Sequence, residues 1–259
     1  MTATGVDLSR AGRVFATVLA GVLIALSVWE TADVWQEFAS RNGLGQDWAF
    51  YVSLGRRWLD SGVLYGDRQL TGTYHVLVNV DNLYPPPSIL VFAAFAVVPT
   101  PLSALVWWGM PLGLLVKALV KFRSSPWTWP LMAACVFWPR SLGSLVAGNS
   151  DLLSAGFVAG GLIWGWPGVL GVFKPSFGPF ALTGIRRRSW WVGLGLVALV
   201  SLPFLLGGAW SQYLIAVSHW DLPWDRSILN VPLLLIPVLA WLGRRSGPVS
   251  SAPVPGGAS

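Results

Sequence analysis

Cysteine, histidine and charged side chains are scarce in this chain, and each scarcity excludes a kind of site. The single Cys135 lies in an apolar stretch, so we expect no intrachain disulfide and no cysteine metal site. The two histidines, His75 and His219, are far apart and form no cluster with metal-ligand spacing. The sequence also contains no Walker loop, no dinucleotide-binding fingerprint and no serine elbow. We therefore expect no metal and no cofactor, and soluble nucleotide-dependent chemistry has no visible support.

The low charge content points to a membrane protein. Charged residues amount to 11% of the chain, whereas hydrophobic residues amount to 54% and the mean hydropathy is +0.61. A soluble domain carries roughly twice this charged fraction. Backbone groups in lipid must be paired within the protein, and the apolar runs here are continuous rather than alternating. The sequence therefore predicts an all-α, polytopic bundle of transmembrane helices in the cell membrane.

The net charge of +6 does not indicate nucleic-acid binding, because the cations lie at the ends of apolar segments. Such a distribution is typical of a membrane protein whose positive loops face the cytoplasm. Arg10 and Arg13 precede the first apolar run, residues 14–29, which ends without a small-x-small cleavage site. We therefore expect a retained first span with a cytoplasmic start.

The apolar runs predict about eight spans, several of them short enough to be half-helices buried among the others. With this count the arginines at 186–188 lie in the cytoplasm, whereas Lys117, Lys121 and Arg123 lie outside, against the positive-inside bias. Residues 1–245 are expected to form one membrane-embedded domain, followed by a disordered tail at 246–259. The expected spans are residues 14–29, 88–98, 102–120, 127–137, 152–164, 169–185, 190–206 and 228–242.

Residues 30–84 are expected to form a polar and aromatic outer loop. Seven of the 11 acidic residues fall between Glu30 and Asp81. Within this loop residues 47–59 have the pattern of an amphipathic helix, which would lie in the membrane interface. The apolar arc of that helix comprises Trp48, Tyr51, Val52, Leu54, Gly55, Trp58 and Leu59.

Asp47 opens this predicted helix, and two interpretations fit it. As an N-cap, its carboxylate would accept backbone N–H bonds at the positive end of the helix. As a general base, the same carboxylate would face a cleft. The acids Glu30, Asp33 and Glu37 recur at helical spacing after the first span and fit a solvated face better.

Lys174 is a cation near the middle of an apolar run, where a charge usually faces a cavity or a partner. It would hold a phosphate there, or snorkel from the end of a helix broken by Pro175. Residues 148–151, with Arg140 upstream, form a second polar interruption, in which Asn149 or Ser150 is also a good N-cap.

Two further positions carry weaker signals. Arg56 fits a headgroup contact or a phosphate contact in a cleft. His219 lies in a late loop, where a lone histidine is usually solvated.

Several segments, in order, resemble glycosyltransferase family 87, whose members are multi-spanning mannosyltransferase-like enzymes of the C-type fold. The similarity covers roughly residues 10–230, and the chain is shorter than is usual in the family, with asparagine at 149 where glutamine is commoner. The matching segments are Gln46-Asp47-Trp48-Ala49-Phe50-Tyr51, Tyr84-Pro85-Pro86, Gly148-Asn149-Ser150-Asp151, Phe173-Lys174-Pro175 and Arg186-Arg187-Arg188.

The resemblance implies transfer of a hexose, mannose in this family, from a polyprenyl-phosphate-sugar donor to a lipid or glycan acceptor at the outer membrane face. It puts the catalytic base at Asp47 and a contact to the lipid phosphate at Lys174. The full set of expected substrate and phosphate-binding residues is Lys174, Arg56, Arg140, Tyr51, Tyr84, Asn149, Asp151 and His219. Short spans and glycine-proline breaks also fit a small transporter or flippase, and a catalytically inactive membrane scaffold is a third possibility.

Overall fold

The computed structural model describes residues 9–40, 43–75, 80–221 and 229–244. Within these ranges the chain is helical and forms no β-strand, only two isolated bridges, Tyr74 with Trp220 and Ser124 with Arg244. The all-α prediction is therefore confirmed. The predicted disordered tail, residues 246–259, lies outside the described residues.

Several helix boundaries follow the apolar runs closely. Residues 88–98 and 152–164, for example, were expected as helices and form helices that differ from these bounds by one or two residues. The described helices are α1 (Arg10–Ser40), α2 (Gln46–Ser61), α3 (Asp67–Leu70), α4 (Ser88–Val97), α5 (Thr100–Phe122), α6 (Thr128–Phe137), α7 (Pro139–Ala147), α8 (Ser150–Trp164), α9 (Gly178–Ala181), α10 (Arg188–Leu206), α11 (Ala209–Ser218) and α12 (Val231–Leu242), with 3-10 segments at Trp166–Phe173 and Pro175–Phe177.

Three helices are long and apolar enough to cross a membrane: residues Arg10–Val28 of α1, then α5 and α10. The pair α6 and α7 would make a fourth span, although the two helices are bent by 61° at their junction. Large apolar side chains on these helices are exposed, as at Val120 and Leu199, which suits contact with lipid. The finer count of eight spans stays a prediction.

The first helix is longer than expected. Residues 30–40, which were expected to begin the outer loop, continue α1 to Ser40. The reason is that no proline or glycine interrupts this stretch, so helix formation continues past the end of the apolar run. The acids Glu30, Asp33 and Glu37 fall in this part of α1, whose side chains lie outside the described residues.

Helix α8 occupies the centre of the bundle and is buried along most of its length. Its glycines allow close approach by neighbouring backbone: Gly156 lies against Pro111 of α5, and Gly161 against Gly168 and Thr183. Small residues at such contacts let helices pack closely in a membrane. Apolar side chains of α5, α6, α8 and α12 form the core around it.

Residues 169–185, expected as a span, form a hairpin instead. The segment Trp166–Phe173 runs back along α8, as the contact of Pro167 with Gly160 shows, and brings Lys174 to Asp151 in the first turn of α8. The chain then returns, and Gly184 lies against Gly165 where the hairpin began. The breaks at Lys174-Pro175 and Gly178-Pro179 explain why no continuous helix forms here. We call residues 166–184 the re-entrant hairpin.

Helix α2 packs directly on α4. Gly55 faces the Phe92 backbone so closely that a Cβ atom would lie 2.4 Å from the Phe92 carbonyl oxygen. Tyr51 and Leu54, on the same face, are buried, whereas Arg56 is exposed. The predicted helix at residues 47–59 therefore exists; its position in a membrane interface stays a prediction.

The two ends of α8 differ in chemistry. The helix has 15 residues and is thus about 22 Å long. Asn149 and Asp151 lie at its start, while Lys121 and Arg187 donate to the carbonyl oxygens of Ile163 and Leu162 near its end. The eight-span count put Lys121 and Arg187 on opposite sides of the membrane. Both cations contact the same end of α8, and their side of the membrane stays a prediction.

Candidate functional site

Asp47 and Asn149 meet at the start of α8. The Asn149 side-chain Nδ2 donates to the Asp47 Oδ2 over 2.6 Å. A backbone hydrogen bond of 2.9 Å, from the Gly45 N–H to the Val146 carbonyl, joins the same two chain segments. Helix α2 begins at Gln46 with Gly45 at its N-cap, so Asp47 is in the first helical turn and the N-cap interpretation of Asp47 is wrong. The predicted cap at Asn149 is confirmed, since its Oδ1 accepts the Asp151 N–H at 3.1 Å.

Gly148 sets the position of Asn149. It ends α7 with φ at +69°, a left-handed conformation that favours glycine. Its carbonyl accepts the indole N–H of Trp107 at 2.8 Å. A Cβ on Gly148 would lie 2.6 Å from the Trp108 ring and 2.9 Å from Trp48. Glycine is therefore required both for the turn between α7 and α8 and for the packing of tryptophans around it.

Asp151 and Lys174 form a buried ion pair beside Asn149. Asp151 is fully buried, and its second carboxylate oxygen accepts the Ser144 hydroxyl at 3.1 Å. The Lys174 side chain is 15% exposed, and its ammonium also approaches the Asn149 Oδ1 at 3.4 Å. Asn149 thus donates to one carboxylate and accepts from the ammonium that neutralises the other.

Three hydroxyl groups continue this polar cluster. The Tyr84 hydroxyl lies 2.8 Å from the hydroxyls of both Tyr51 and Ser150. Burial raises the pKa of Tyr51 well above its ordinary value, and the neighbouring Tyr84 raises it further. Burial also raises the pKa of Tyr84. Both phenols therefore stay protonated at neutral pH and act as hydrogen-bond donors.

The environment of Asp47 makes it a stronger base than an ordinary aspartate. Burial raises the pKa of its carboxyl group above the usual value of 3.8, and the nearby Asp151 charge adds to this. The hydrogen bond from Asn149 and the Lys174 charge oppose the shift without cancelling it. A carboxylate whose pKa lies closer to neutrality removes a proton more effectively.

An apolar crevice opens beside Lys174, between α4, α8 and the re-entrant hairpin. Its volume of about 30 Å³ has room for about one or two water molecules. The polar residues of its wall are Lys174, Tyr84, Ser88, Ser150 and Ser154. The apolar residues are Val91, Phe92, Leu153, Phe157, Leu170 and Phe173.

Six of the nine expected site residues come together here: Asp47, Tyr51, Tyr84, Asn149, Asp151 and Lys174. The other three do not join them. Arg56 donates to the Ala96 carbonyl at 2.8 Å, and Arg140 is exposed near the start of α7, seven residues before its end. The His219 ring lies 3.4 Å from the Gln69 carbonyl. Among the described residues, none of these three side chains hydrogen-bonds to the six.

Sequence reasoning missed Ser144 and the ring of tryptophans. Ser144 precedes Asp151 by seven residues. Because α7 ends between them, the helical periodicity of the sequence does not indicate that the two side chains meet. Trp107 and Trp108 lie within the expected span 102–120, and their indole N–H groups donate to the Gly148 and Leu145 carbonyls. In the part of the chain that the structure describes, no group of three or more His, Cys, Asp or Glu residues is placed to hold a metal ion.

Comparison with known proteins identifies no relative of this chain. No family model matches the chain, and neither the curated proteins nor the solved structures contain a match.

Proposed function

We propose that this chain is a membrane glycosyltransferase, a short member of glycosyltransferase family 87. In this proposal it moves a hexose, such as mannose, from a polyprenyl-phosphate-sugar donor to a glycolipid or glycan acceptor. The carrying observation is the juxtaposition of a partly buried carboxylate, Asp47, with an ammonium, Lys174, that lines an apolar crevice. Such a reaction needs a base for the acceptor hydroxyl, a cation for the leaving phosphate and an apolar groove for the lipid tail.

The reaction would be a single inverting displacement. The acceptor hydroxyl oxygen bonds to the anomeric carbon while its proton passes to Asp47. The bond between the anomeric carbon and the phosphate oxygen breaks, and polyprenyl phosphate leaves with the electron pair. Asn149 would hold the Asp47 carboxylate in place during this step, since its amide donates to one oxygen and leaves the other for the acceptor.

Lys174 would stabilise the leaving phosphate. An ammonium has three N–H donors. Asp151 and Asn149 accept two of them, which leaves one donor for a phosphate oxygen. The charge of Lys174 is already offset by Asp151, so this contact acts chiefly as a directed hydrogen bond, supported by the Tyr84 and Ser150 hydroxyls in the same wall.

The crevice gives the direction in which the lipid tail would extend. Val91, Phe157 and Leu170 line it beyond Lys174, and these side chains suit a polyprenyl chain. At about 30 Å³ the crevice is too small for an isoprene unit, so the re-entrant hairpin and α4 would separate when the donor binds.

The orientation of the protein is part of the proposal. The polar cluster lies at the start of α8, and the cations Lys121 and Arg187 at its end. The positive-inside rule puts the cationic end in the cytoplasm, so Asp47 would face the outer side of a multi-pass membrane protein. There α2 would lie at the membrane interface, as an amphipathic helix does.

A small transporter is the second candidate, favoured by the re-entrant hairpin. Transporters bind their substrates where discontinuous helices meet within the membrane. In the described cluster two carboxylates, Asp47 and Asp151, lie near one ammonium, Lys174. This excess of negative charge suits the binding of a proton or a cation. A transporter would carry solute across the membrane without making a new glycoside.

The test uses the purified chain in lipid, with radiolabelled polyprenyl-phosphate-mannose and an extract of host lipids and glycans. Asp47→Asn is compared with Asp60→Asn, a matched control because Asp60 is an exposed carboxylate of the same helix. We expect label transfer by the wild type and by Asp60→Asn, and none by Asp47→Asn.

Other outcomes separate the alternatives. Label transfer by Asp47→Asn at the wild-type rate would show that Asp47 is not the catalytic base. Retention of the donor without any transfer would indicate an inactive homologue. If the donor is not retained, flux of labelled solute into vesicles is measured, and transport without product would establish the second candidate.

A further inference from the structure

Five cations gather at the end of α8 that is opposite the candidate site. The Lys121 ammonium lies 3.4 Å from the Ile163 carbonyl and the Arg187 guanidinium 3.3 Å from the Leu162 carbonyl. Ile163 and Leu162 are consecutive residues of α8, so both charges lie at the same end of this helix. The patch, which we call the basic end, comprises Lys117, Lys121, Arg186, Arg187 and Arg188.

In the part of the chain that the structure describes, no ion pair joins a cation of the basic end to a carboxylate. Between Asp81 and Asp221 the chain has a single acid, Asp151, and that residue lies roughly 18 Å away, near the other end of α8. Arg186 and Arg188 are exposed, and in the part of the chain described here their guanidinium groups donate to no protein acceptor. Clustered like charges repel one another, so an external anion would stabilise this end.

Exposed tryptophans occur in the same part of the chain as these cations. The Lys117 ammonium lies 4.5 Å from the centre of the Trp164 ring, within the range of a cation–π contact. Trp164, Trp166 and Trp191 are 38%, 50% and 58% exposed. Tryptophan is enriched where the hydrocarbon of a bilayer meets its headgroups. The exposed indoles therefore mark the headgroup level at the basic end.

We propose that the basic end binds the phosphate groups of anionic phospholipids. Guanidinium groups form paired hydrogen bonds with phosphate oxygens, and an ammonium adds a point charge. The indoles of Trp164 and Trp166 would contact the glycerol and upper acyl region of the same lipid. This site is separate from Asp47 and does not depend on the proposed sugar transfer.

The test measures lipids retained by the full chain after extraction from bilayers made of equal amounts of phosphatidylcholine and phosphatidylglycerol. Retained lipids are counted by native mass spectrometry for the wild type, for Arg188→Gln, and for the triple variant Lys117→Gln/Arg186→Gln/Arg188→Gln. Arg140→Gln is the matched control, since it removes one exposed charge outside the basic end.

We expect the wild type and Arg140→Gln to retain phosphatidylglycerol over phosphatidylcholine. Each cation removed from the basic end lowers the apparent affinity about fivefold, and the triple variant loses roughly a hundredfold. Retention of phosphatidylglycerol by both Arg188→Gln and the triple variant at the wild-type level would overturn the proposal. The single variant keeps the test decisive if the triple variant does not fold.

A second arm identifies the source of the phosphate. Excess glycerol phosphate shares the headgroup chemistry but lacks acyl chains. We expect it to leave the bound phosphatidylglycerol in place, because the tryptophan contacts require a lipid. Complete displacement would assign the basic end to small soluble phosphate esters and overturn the lipid site.

Discussion

The amide Nδ2 of Asn149 lies 2.6 Å from the Oδ2 of Asp47, although 102 residues separate the two along the chain. This contact joins the first turn of α2 to the first residue before α8. The same asparagine accepts from the Asp151 backbone and approaches the Lys174 ammonium. One side chain therefore couples the proposed base to the buried ion pair.

Asp47→Asn should raise the stability of the folded protein at neutral pH. Burial raises the pKa of Asp47 above 3.8 in the folded state, so the folded protein binds this proton more tightly than the unfolded chain does. Ionisation therefore costs folding free energy above the folded-state pKa, and the cost disappears as the pH falls through that value. We expect Asp47→Asn to melt at a higher temperature than the wild type at pH 7.

The difference in melting temperature between Asp47→Asn and the wild type should shrink on acidification. Tryptophan fluorescence in mild detergent follows the transition. Asp60→Asn, an exposed change in the same helix, should show no such trend. A variant Asp47→Asn that is less stable than the wild type at pH 7 would mean that the ionised carboxylate is held favourably.

Lys174→Met should destabilise the protein by about 3–5 kcal/mol, because it leaves the Asp151 carboxylate buried without its counter-charge. Adding Asp151→Asn removes that charge, so the double variant should be more stable than Lys174→Met alone. The free energy of unfolding is measured by denaturant titration. Arg140→Met, a change at an exposed cation, is the control and should have little effect. If the losses in free energy of unfolding caused by Lys174→Met and Asp151→Asn simply add, the two residues do not stabilise each other as a buried ion pair.

Gly148→Ala should lower the free energy of unfolding by about 1–3 kcal/mol. The alanine Cβ would lie within 2.6 Å of the Trp108 ring, at a residue whose φ is +69°. Gly113→Ala is the matched control, since a Cβ there meets no atom within 4 Å and alanine is the better helix former. The melting temperatures of both variants are measured by thermal unfolding. Equal melting temperatures would show that a glycine is not required at position 148.

Tyr84→Phe should cost about 1 kcal/mol or more of stability, because the Tyr51 and Ser150 hydroxyls both lose a partner. Tyr213→Phe is the control: in the part of the chain described here its hydroxyl makes no hydrogen bond, and its ring is also partly buried. Denaturant titration of the two variants measures the difference. No loss at position 84 would show that the hydroxyl cluster carries no net stabilisation.

Local chemistry predicted part of the candidate site. Asn149 is an N-cap because an asparagine before an apolar helical run satisfies free backbone N–H groups, which requires no distant partner. The same rule was wrong for Asp47. The N-cap of α2 is Gly45 in the left-handed conformation, so the helix already begins at Gln46. A glycine with positive φ leaves no signal in the hydrophobic pattern. Arg56 fitted a phosphate contact, yet its partner is the Ala96 carbonyl, 40 residues away.

The sequence by itself determined that this chain is helical and suited to a membrane, because continuous apolar runs must pair their backbone groups internally in lipid. It also singled out three polar residues: Asp47 in the expected outer loop, and Asn149 and Lys174 at polar interruptions of the apolar runs. The tertiary structure decided that these three lie together, and that the hairpin bearing Lys174 turns back beside α8 instead of forming one continuous helix. These outcomes depend on the close approach of neighbouring backbone at Gly161 and of tryptophan side chains at Gly148. Such contacts join segments that are far apart in the chain, so the periodicity of the sequence does not reveal them.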